Sequence, residues 1–228
     1  MSVFHTETIN CPACTTPVQF KLVYSVNADR RPDLRDAIVA GTFQRQPCPS
    51  CGVEFRVDPE FTYMDLHHRL FIGVWPVAKR GQWQACAEKT AESFEEGLGK
   101  GASPEAAKLG VGIEPRAVFG WPALVEKLIA RQAGIDDRTL ELAKVMALRH
   151  GSETPVPGKR ELRLVEAGAE DFVLAWVRPA DSRVESAMRV PRSLIAEIDA
   201  EPEPWKAMRD QVGEGLVVDF QREMLAAA

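Results

Sequence analysis

Two short cysteine motifs constrain this chain more than any other feature. Cys11 and Cys14 enclose Pro-Ala, Cys48 and Cys51 enclose Pro-Ser, and 33 residues separate the two units. Two residues between paired thiols let both sulfur atoms face one point, and a second such pair completes a tetrahedron around a metal ion. We therefore predict that Cys11, Cys14, Cys48 and Cys51 bind one zinc ion per chain. Iron is the alternative, because the same four thiolates accept it.

Two other uses of these cysteines stay open at this point. The CPxC pattern also occurs in glutaredoxin-like oxidoreductases, whose reactive thiolate lies at the start of a helix, where its pKa is lowered. Here the alternating residues 17–23 follow Cys14 and favour a strand instead. Four buried and unreactive thiols are the remaining possibility. A catalytic zinc keeps one position open for water, whereas four thiolates fill the coordination shell, so we predict a structural site without catalytic residues.

The charge balance narrows the class of protein. The chain has 28 basic and 33 acidic residues, a net charge of -5, which argues against a protein that mainly coats nucleic acid or a membrane surface. Within residues 1–60, local positive charge is limited to Arg30, Arg31 and Arg35, so nucleic-acid binding is disfavoured but stays open. The first ten residues have no basic and apolar leader, and no apolar tract approaches about 20 residues. We therefore predict a cytoplasmic protein, in which thiols stay reduced.

Turn-forming composition divides the chain into four segments. Gly and Pro are frequent in residues 97–115 and 151–158, which show no clear hydrophobic periodicity and offer few apolar side chains for a core. We predict a zinc-ribbon-like region over residues 1–96, a linker over 97–115, a helical pair over 116–150 and a C-terminal α+β segment over 151–228. The last segment can also pack with the rest as one domain. The predicted fold class is α+β, with a strand-rich N-terminal region, central helices and a mixed tail.

Hydrophobic periodicity predicts the individual elements. Alternation predicts strands over 17–26, 53–57, 161–165, 172–177 and 215–220, and a longer strand or a hairpin over 62–75. Helical spacing and end signals predict helices over 32–41, 82–96, 121–134, 136–150 and 192–198.

A second motif gives the chain a family resemblance. Residues 119–144 read FGWPALVEKLIARQAGIDDRTLELAK. Together with the doubled CPxC unit, this stretch resembles the CpXC proteins of bacteria and archaea, which are named for their four cysteines and carry a similar segment downstream. The resemblance covers residues 5–150. It implies a metal-binding N-terminal region that uses the four cysteines named above, and it implies no assigned activity.

The remaining chemically reactive residues have simpler explanations. Cys86 recurs with Trp83, Thr90 and Phe94 at helical spacing, so we interpret it as a small core residue rather than a reactive thiol. His67 and His68 are adjacent in a predicted strand, where neighbours face opposite sides, so they cannot both reach one metal. His5 is a distant alternative ligand.

Three acidic residues invite an acid–base interpretation. Asp137 and Glu141 are four residues apart on one helical face, and Asp136 precedes them. Arg138 and Lys144 stand nearby, so we interpret the group as a helix cap followed by a solvated charged face.

These observations favour a zinc-binding cytoplasmic protein that acts as a non-enzymatic binding or assembly module. Its expected partners are proteins or further copies of itself. The alternatives are a thiol-disulfide oxidoreductase that uses one CPxC pair, and a zinc-ribbon regulator that binds nucleic acid.

Overall fold

The structure, a computed structural model, describes residues 2–150 and 159–222. The N-terminal elements are β1 (Val3–Asn10), β2 (Pro17–Asn27), α1 (Pro32–Val39), β3 (Arg45–Pro47), β4 (Glu54–Arg56), β5 (Phe61–Asp65), β6 (Leu70–Trp75), α2 (Trp83–Gly97) and α3 (Pro104–Gly110). The elements that follow are β7 (Arg116–Phe119), α4 (Gly120–Gln132), α5 (Asp137–His150), β8 (Glu161–Ala167), β9 (Asp171–Arg178), β10 (Arg183–Pro191), α6 (Ser193–Ala200) and α7 (Lys206–Gly213). The mixture of helices and sheets confirms the predicted α+β class.

A mixed five-stranded sheet organises the first half of the chain, in the order β1-β2-β5-β6-β7. The pairs β1–β2 and β5–β6 are antiparallel, and the pairs β2–β5 and β6–β7 are parallel. Parallel neighbours need a crossover, and α1 lies in the first crossover while α2 and α3 lie in the second. The small β3–β4 hairpin belongs to the first crossover and forms a separate two-stranded sheet.

Helices cover both faces of this sheet. Ile38 of α1 and Leu124 of α4 are fully buried in one core with Ile72 of β6. On the opposite face, α2 lies directly on the backbone of β6. A Cβ atom at Gly73 of β6 would lie only 2.2 Å from Oγ1 of Thr90 in α2. Only glycine allows this close approach.

A second, antiparallel sheet follows, in the order β10-β9-β8. Leu162, Leu174 and Trp176 are fully buried in a core with Leu140 of α5 and Ile198 of α6. The predicted strands over 161–165 and 172–177 are confirmed as β8 and β9.

Several elements differ from the sequence-based expectation. Residues 215–220 form no strand, although Leu216 O accepts a 3.0 Å hydrogen bond from Ala117 N at the edge of β7. The short helix α3 lies inside the predicted linker 97–115, and β7 occupies the start of the predicted helical pair. The strands β1, β3, β7 and β10 and the helix α7 were not predicted. The turn-rich stretch 151–158 lies outside the described residues.

The predicted solvated face of α5 is wrong, because its charges are buried at the junction between the two sheets. Lys144 Nζ lies 2.7 Å from Glu126 Oε2 and 2.8 Å from Glu141 Oε1, and these three side chains are fully buried. Arg163 of β8 donates to Glu126 Oε1 at 3.1 Å and lies 2.8 Å from Asp219. Opposite charges compensate the desolvation of Glu126, Lys144 and Arg163, whereas at Glu141 burial outweighs the nearby Lys144 and raises the pKa to about 7. The predicted helix cap is confirmed at Asp136, which precedes α5, and not at Asp137.

That cap is Asp136, whose Oδ1 accepts hydrogen bonds from the backbone N–H groups of Arg138 and Thr139 at 3.0 Å. Asp137 instead pairs with Arg116 at 2.7 Å and with Lys127 at 3.1 Å. Burial by itself raises the pKa of Asp137, yet these two cations hold it well below its usual range. Asp137 is therefore an ionised structural group rather than an acid–base catalyst.

We predict that Lys144→Met lowers the free energy of unfolding by about 3–5 kcal/mol, because it leaves two buried carboxylates without their shared cation. Urea denaturation at neutral pH measures the effect. Asp171→Asn is the control, since it breaks an exposed pair with Arg189 and should cost no more than about 1 kcal/mol. Equal costs for the two variants would contradict the structural role of the buried cluster.

Candidate metal centre

Two hairpin turns carry the four cysteines. Cys11 and Cys14 lie in the turn between β1 and β2, and Cys48 and Cys51 lie in the turn between β3 and β4. Neither pair begins a helix, because a strand follows each turn. The local arrangement that lowers the pKa of a redox-active cysteine at a helix start is therefore absent from both turns.

The two turns share one backbone design. In the first, Cys11 N donates to Thr16 O and Thr15 N donates to Cys11 O, both at 2.9 Å. In the second, Cys48 N donates to Val53 O and Gly52 N donates to Cys48 O, also at 2.9 Å. These bonds fold each turn so that both of its sulfur atoms face the same point. The fourth residue after the leading cysteine is left-handed in each turn.

The sulfur atoms form a compact group. Cys11 Sγ lies 3.7 Å from Cys51 Sγ, Cys14 Sγ lies 3.6 Å from Cys48 Sγ, and all four lie within 4.8 Å of one another. A tetrahedron with metal–sulfur bonds of about 2.3 Å has sulfur–sulfur edges of about 3.8 Å. A disulfide would bring two sulfurs to about 2.05 Å, and all four cysteines are free. The residues present therefore fit a single metal ion bound by four thiolates.

The electrostatics of the group also favour a bound cation. Hydrogen bonding by Thr16 to the Cys14 sulfur lowers the pKa of Cys14 to about 6. The Val53 backbone N–H also favours the thiolate of Cys51, but hydrogen bonding with Cys14 and with the other cysteines of the group raises the pKa of Cys51 to about 12. One thiol ionises at the expense of another because four negative charges cannot share so small a volume. A divalent cation removes this conflict.

An apolar layer supports one side of the site. Cys11 and Cys48 are 1% and 2% exposed and pack in a cluster with Val18, Phe20 and Phe55. The rings of Phe20 and Phe55 lie 5.7 Å apart and join β2 to β4. Cys51, in contrast, is exposed. A metal ion here would have two ligands fixed in the core and one at the surface.

Within the part of the chain that the structure describes, these cysteines form the only cluster of potential metal ligands. His67 and His68 lie in the β5–β6 turn, not in a strand as expected, and His68 Nδ1 lies 2.9 Å from Asp65. His5 is paired with Glu7 at 3.2 Å. The side chains of His5 and His68 thus have carboxylate partners.

The fifth cysteine behaves as predicted for a core residue. Cys86 is 3% exposed in α2 and packs near Trp75 and Phe119. Burial raises the pKa of Cys86, which disfavours its reactive thiolate form. Sequence reasoning missed a different contributor, Thr16, whose hydroxyl lies 3.3 Å from Cys14 Sγ. Its only signal in the sequence was a hydroxyl side chain two residues after a CPxC unit.

Comparison with known proteins adds one finding to this geometry. The family model described as CpXC protein matches residues 9–144, which include all four cysteines and most of α5. Neither curated proteins nor solved structures give a match. Among the described residues, no helix has the length and apolar character to cross a membrane.

The left-handed positions of the two turns generate a prediction. Thr15 has φ 59° and Gly52 has φ 73°, and a Cβ atom at Gly52 would meet nothing within 4 Å. Gly52→Ala therefore adds backbone strain without a clash, and we expect a loss of about 1–2 kcal/mol in unfolding free energy of the metal-loaded protein. Thr15→Gly makes the reverse change at the equivalent position of the other turn. It relieves the strain of a left-handed threonine and should change the unfolding free energy by less than about 1 kcal/mol. Denaturant titration of both variants tests this, and a larger loss in Thr15→Gly would contradict it.

Proposed function

The chain belongs to the CpXC protein family, and from this premise we propose that it is a non-enzymatic binding or assembly module stabilised by a structural zinc ion. The observation that carries the proposal is the group of four sulfur atoms within 4.8 Å, formed by two hairpin turns of the same design. Two such turns facing each other are the arrangement of a zinc ribbon.

The ligand chemistry favours zinc in a structural role. Thiolate ligands in a tetrahedral set select zinc or iron over hard cations such as magnesium. Four thiolates leave no open position for water or substrate, and they supply enough negative charge to weaken the metal as a Lewis acid. In this role Cys11, Cys14, Cys48 and Cys51 hold two hairpins together and take part in no reaction. A reducing compartment such as the cytoplasm would keep them available for the metal.

An exposed strand supports the binding or assembly part of the proposal. β1 is the edge strand of the five-stranded sheet, and most of its side chains are exposed. Edge strands present backbone N–H and C=O groups that pair with another strand. A second copy of the chain or a protein partner is the occupant that this edge favours.

The charge distribution argues against the nucleic-acid alternative. Arg31 is paired with Asp33 at 2.7 Å and Arg35 with Asp36 at 3.2 Å. Two of the three guanidinium groups in the locally basic stretch therefore have acidic partners. Phosphate binding would have to displace these carboxylates, which weakens the electrostatic contribution that nucleic-acid affinity requires.

We expect about one zinc ion per chain in protein purified under reducing conditions without chelator. Elemental analysis measures it, Cys11→Ser should lower the zinc content sharply, and Cys86→Ser should keep it because that thiol lies outside the cluster. One iron per chain would retain the site and change only the metal. Well under one equivalent of any metal would contradict the proposal, and dithiol-dependent turnover lost in Cys11→Ser would assign an oxidoreductase instead.

We also expect metal removal to unfold the two hairpins selectively. Structural zinc contributes about 10–16 kcal/mol in small peptides, which exceeds or equals the total stability of most domains, about 5–15 kcal/mol. Hydrogen exchange after chelation should become fast at the turn amides of Cys11 and Cys48, while α5 and β9 keep their protection in the second core. Cys48→Ala should reproduce the effect. Unchanged protection around both turns would mean that the fold does not depend on a metal.

A further inference from the structure

A cavity of about 290 Å³ lies between the metal-binding region and the second sheet. Residues 54–58, which form β4 and its continuation, line one side, and residues 179–182 of the β9–β10 turn line the other. Val77 and Trp121 also line it. Its volume is close to the lower limit for pockets that bind small molecules, about 300 Å³.

Two side chains of opposite charge, Arg56 and Asp58, are among the residues that line this cavity. Arg56 uses Nε to donate to Phe43 O at 2.9 Å, and Asp58 uses Oδ2 to accept from Val77 N at 2.8 Å. The other ends of the two side chains, Arg56 Nη2 and Asp58 Oδ1, are buried and have no hydrogen-bond partner among the described residues. Buried polar atoms are satisfied in most proteins, so a donor and an acceptor left together indicate a missing partner.

Both side chains are held in place before any ligand arrives. The guanidinium of Arg56 lies 4.0 Å from the centre of the Trp121 ring, and Trp121 Nε1 donates to Val57 O at 3.0 Å. Burial lowers the pKa of Arg56 to about 10, which leaves it charged at neutral pH, and burial raises the pKa of Asp58. A fixed cation beside a fixed anion is suited to a ligand that carries both charges.

The walls indicate the rest of the ligand. Phe55, Val57 and Val77 give the cavity an apolar wall beside Arg56 and Asp58. The other charged groups that line it are paired, Arg45 with Glu54 at 3.5 Å and Asp181 with Arg178 at 2.5 Å. A second cavity of about 250 Å³ shares Arg56 and Trp121 and is lined mainly by aliphatic side chains, among them Val125, Ile129, Leu164 and Val177. An apolar group attached to the charged part of a ligand would lie against these surfaces.

We propose that this cavity binds a small zwitterion, a free α-amino acid with an apolar side chain. Its carboxylate accepts a hydrogen bond from Arg56 Nη2, and its ammonium donates to Asp58 Oδ1. The proposal goes beyond the function proposed above and does not depend on which metal the cysteines bind. The metal turn nevertheless precedes one wall, since Cys51 is followed directly by residues 52–56.

Calorimetric titration of the full, metal-loaded chain tests the proposal with three probes of similar shape. Leucine carries both charges, 4-methylpentanoate lacks the ammonium and 3-methylbutylamine lacks the carboxylate. We expect saturable binding of leucine with a Kd of about 1 mM or tighter. Each analogue should bind at least tenfold more weakly, because it leaves one buried charged group unpaired. No saturation by leucine up to about 10 mM would assign the cavity to ordered water and overturn the proposal.

Conservative variants then locate the site. Asp58→Asn keeps an acceptor for Val77 N, Arg56→Lys keeps the positive charge, and each should weaken leucine binding at least tenfold. Asp171→Asn and Arg189→Lys make the same changes in an exposed ion pair outside the cavity and should leave binding unchanged. Equal binding of leucine and 4-methylpentanoate by the native chain would exclude a role for Asp58. It would overturn the proposal even if a cavity variant failed to fold.

Discussion

Four sulfur atoms that lie within 4.8 Å of one another bring together parts of the chain that are distant in sequence. The 33 residues between the CPxC units contain β2 and α1. Ile38 of α1 is fully buried in the core that α4 closes, and Phe20 of β2 packs on Phe55 of β4. A metal ion bound by the cluster would therefore fix the ends of a loop whose middle contributes to the main core. Closing such a loop removes conformational entropy that side-chain packing would otherwise have to overcome.

Helix α4 joins the two halves of the molecule. Leu124 and Leu128 belong to the first core, Ala130 belongs to the second, and Glu126 lies in the buried ion cluster between them. Burial by itself raises the pKa of Glu126, yet Lys144 and Arg163 hold it below its usual range. A rearrangement at the junction between the two sheets would separate Glu126 from Lys144 and Arg163 and leave buried charges unpaired. The ion cluster therefore favours one geometry of the junction over others.

Features set by local spacing could be predicted, and features set by distant contacts could not. The CPxC units and the apolar stripe of α4 follow from short-range patterns, so the cysteine cluster and the central helices were predictable. Glu141 was predicted to be solvated because the Phe220 backbone N–H that donates to it lies 79 residues away in the chain, and Glu126, the other carboxylate bound to Lys144, lies 15 residues away. β1 was not predicted because an edge strand keeps most of its side chains in solvent and shows little alternation of apolar and polar residues.

The position of Asp219 and Gln221 late in the chain has a consequence for biosynthesis. Asp219 pairs with Arg163, and Gln221 accepts from Leu162 N at 3.0 Å, so the junction is complete only after both have left the ribosome. At about 5–20 residues per second, roughly 3–11 s pass between the synthesis of Arg163 and that of Asp219. The four cysteines of the hairpins, in contrast, are all synthesised well before that moment. Vectorial synthesis thus separates maturation of the N-terminal half from docking of the C-terminal segment.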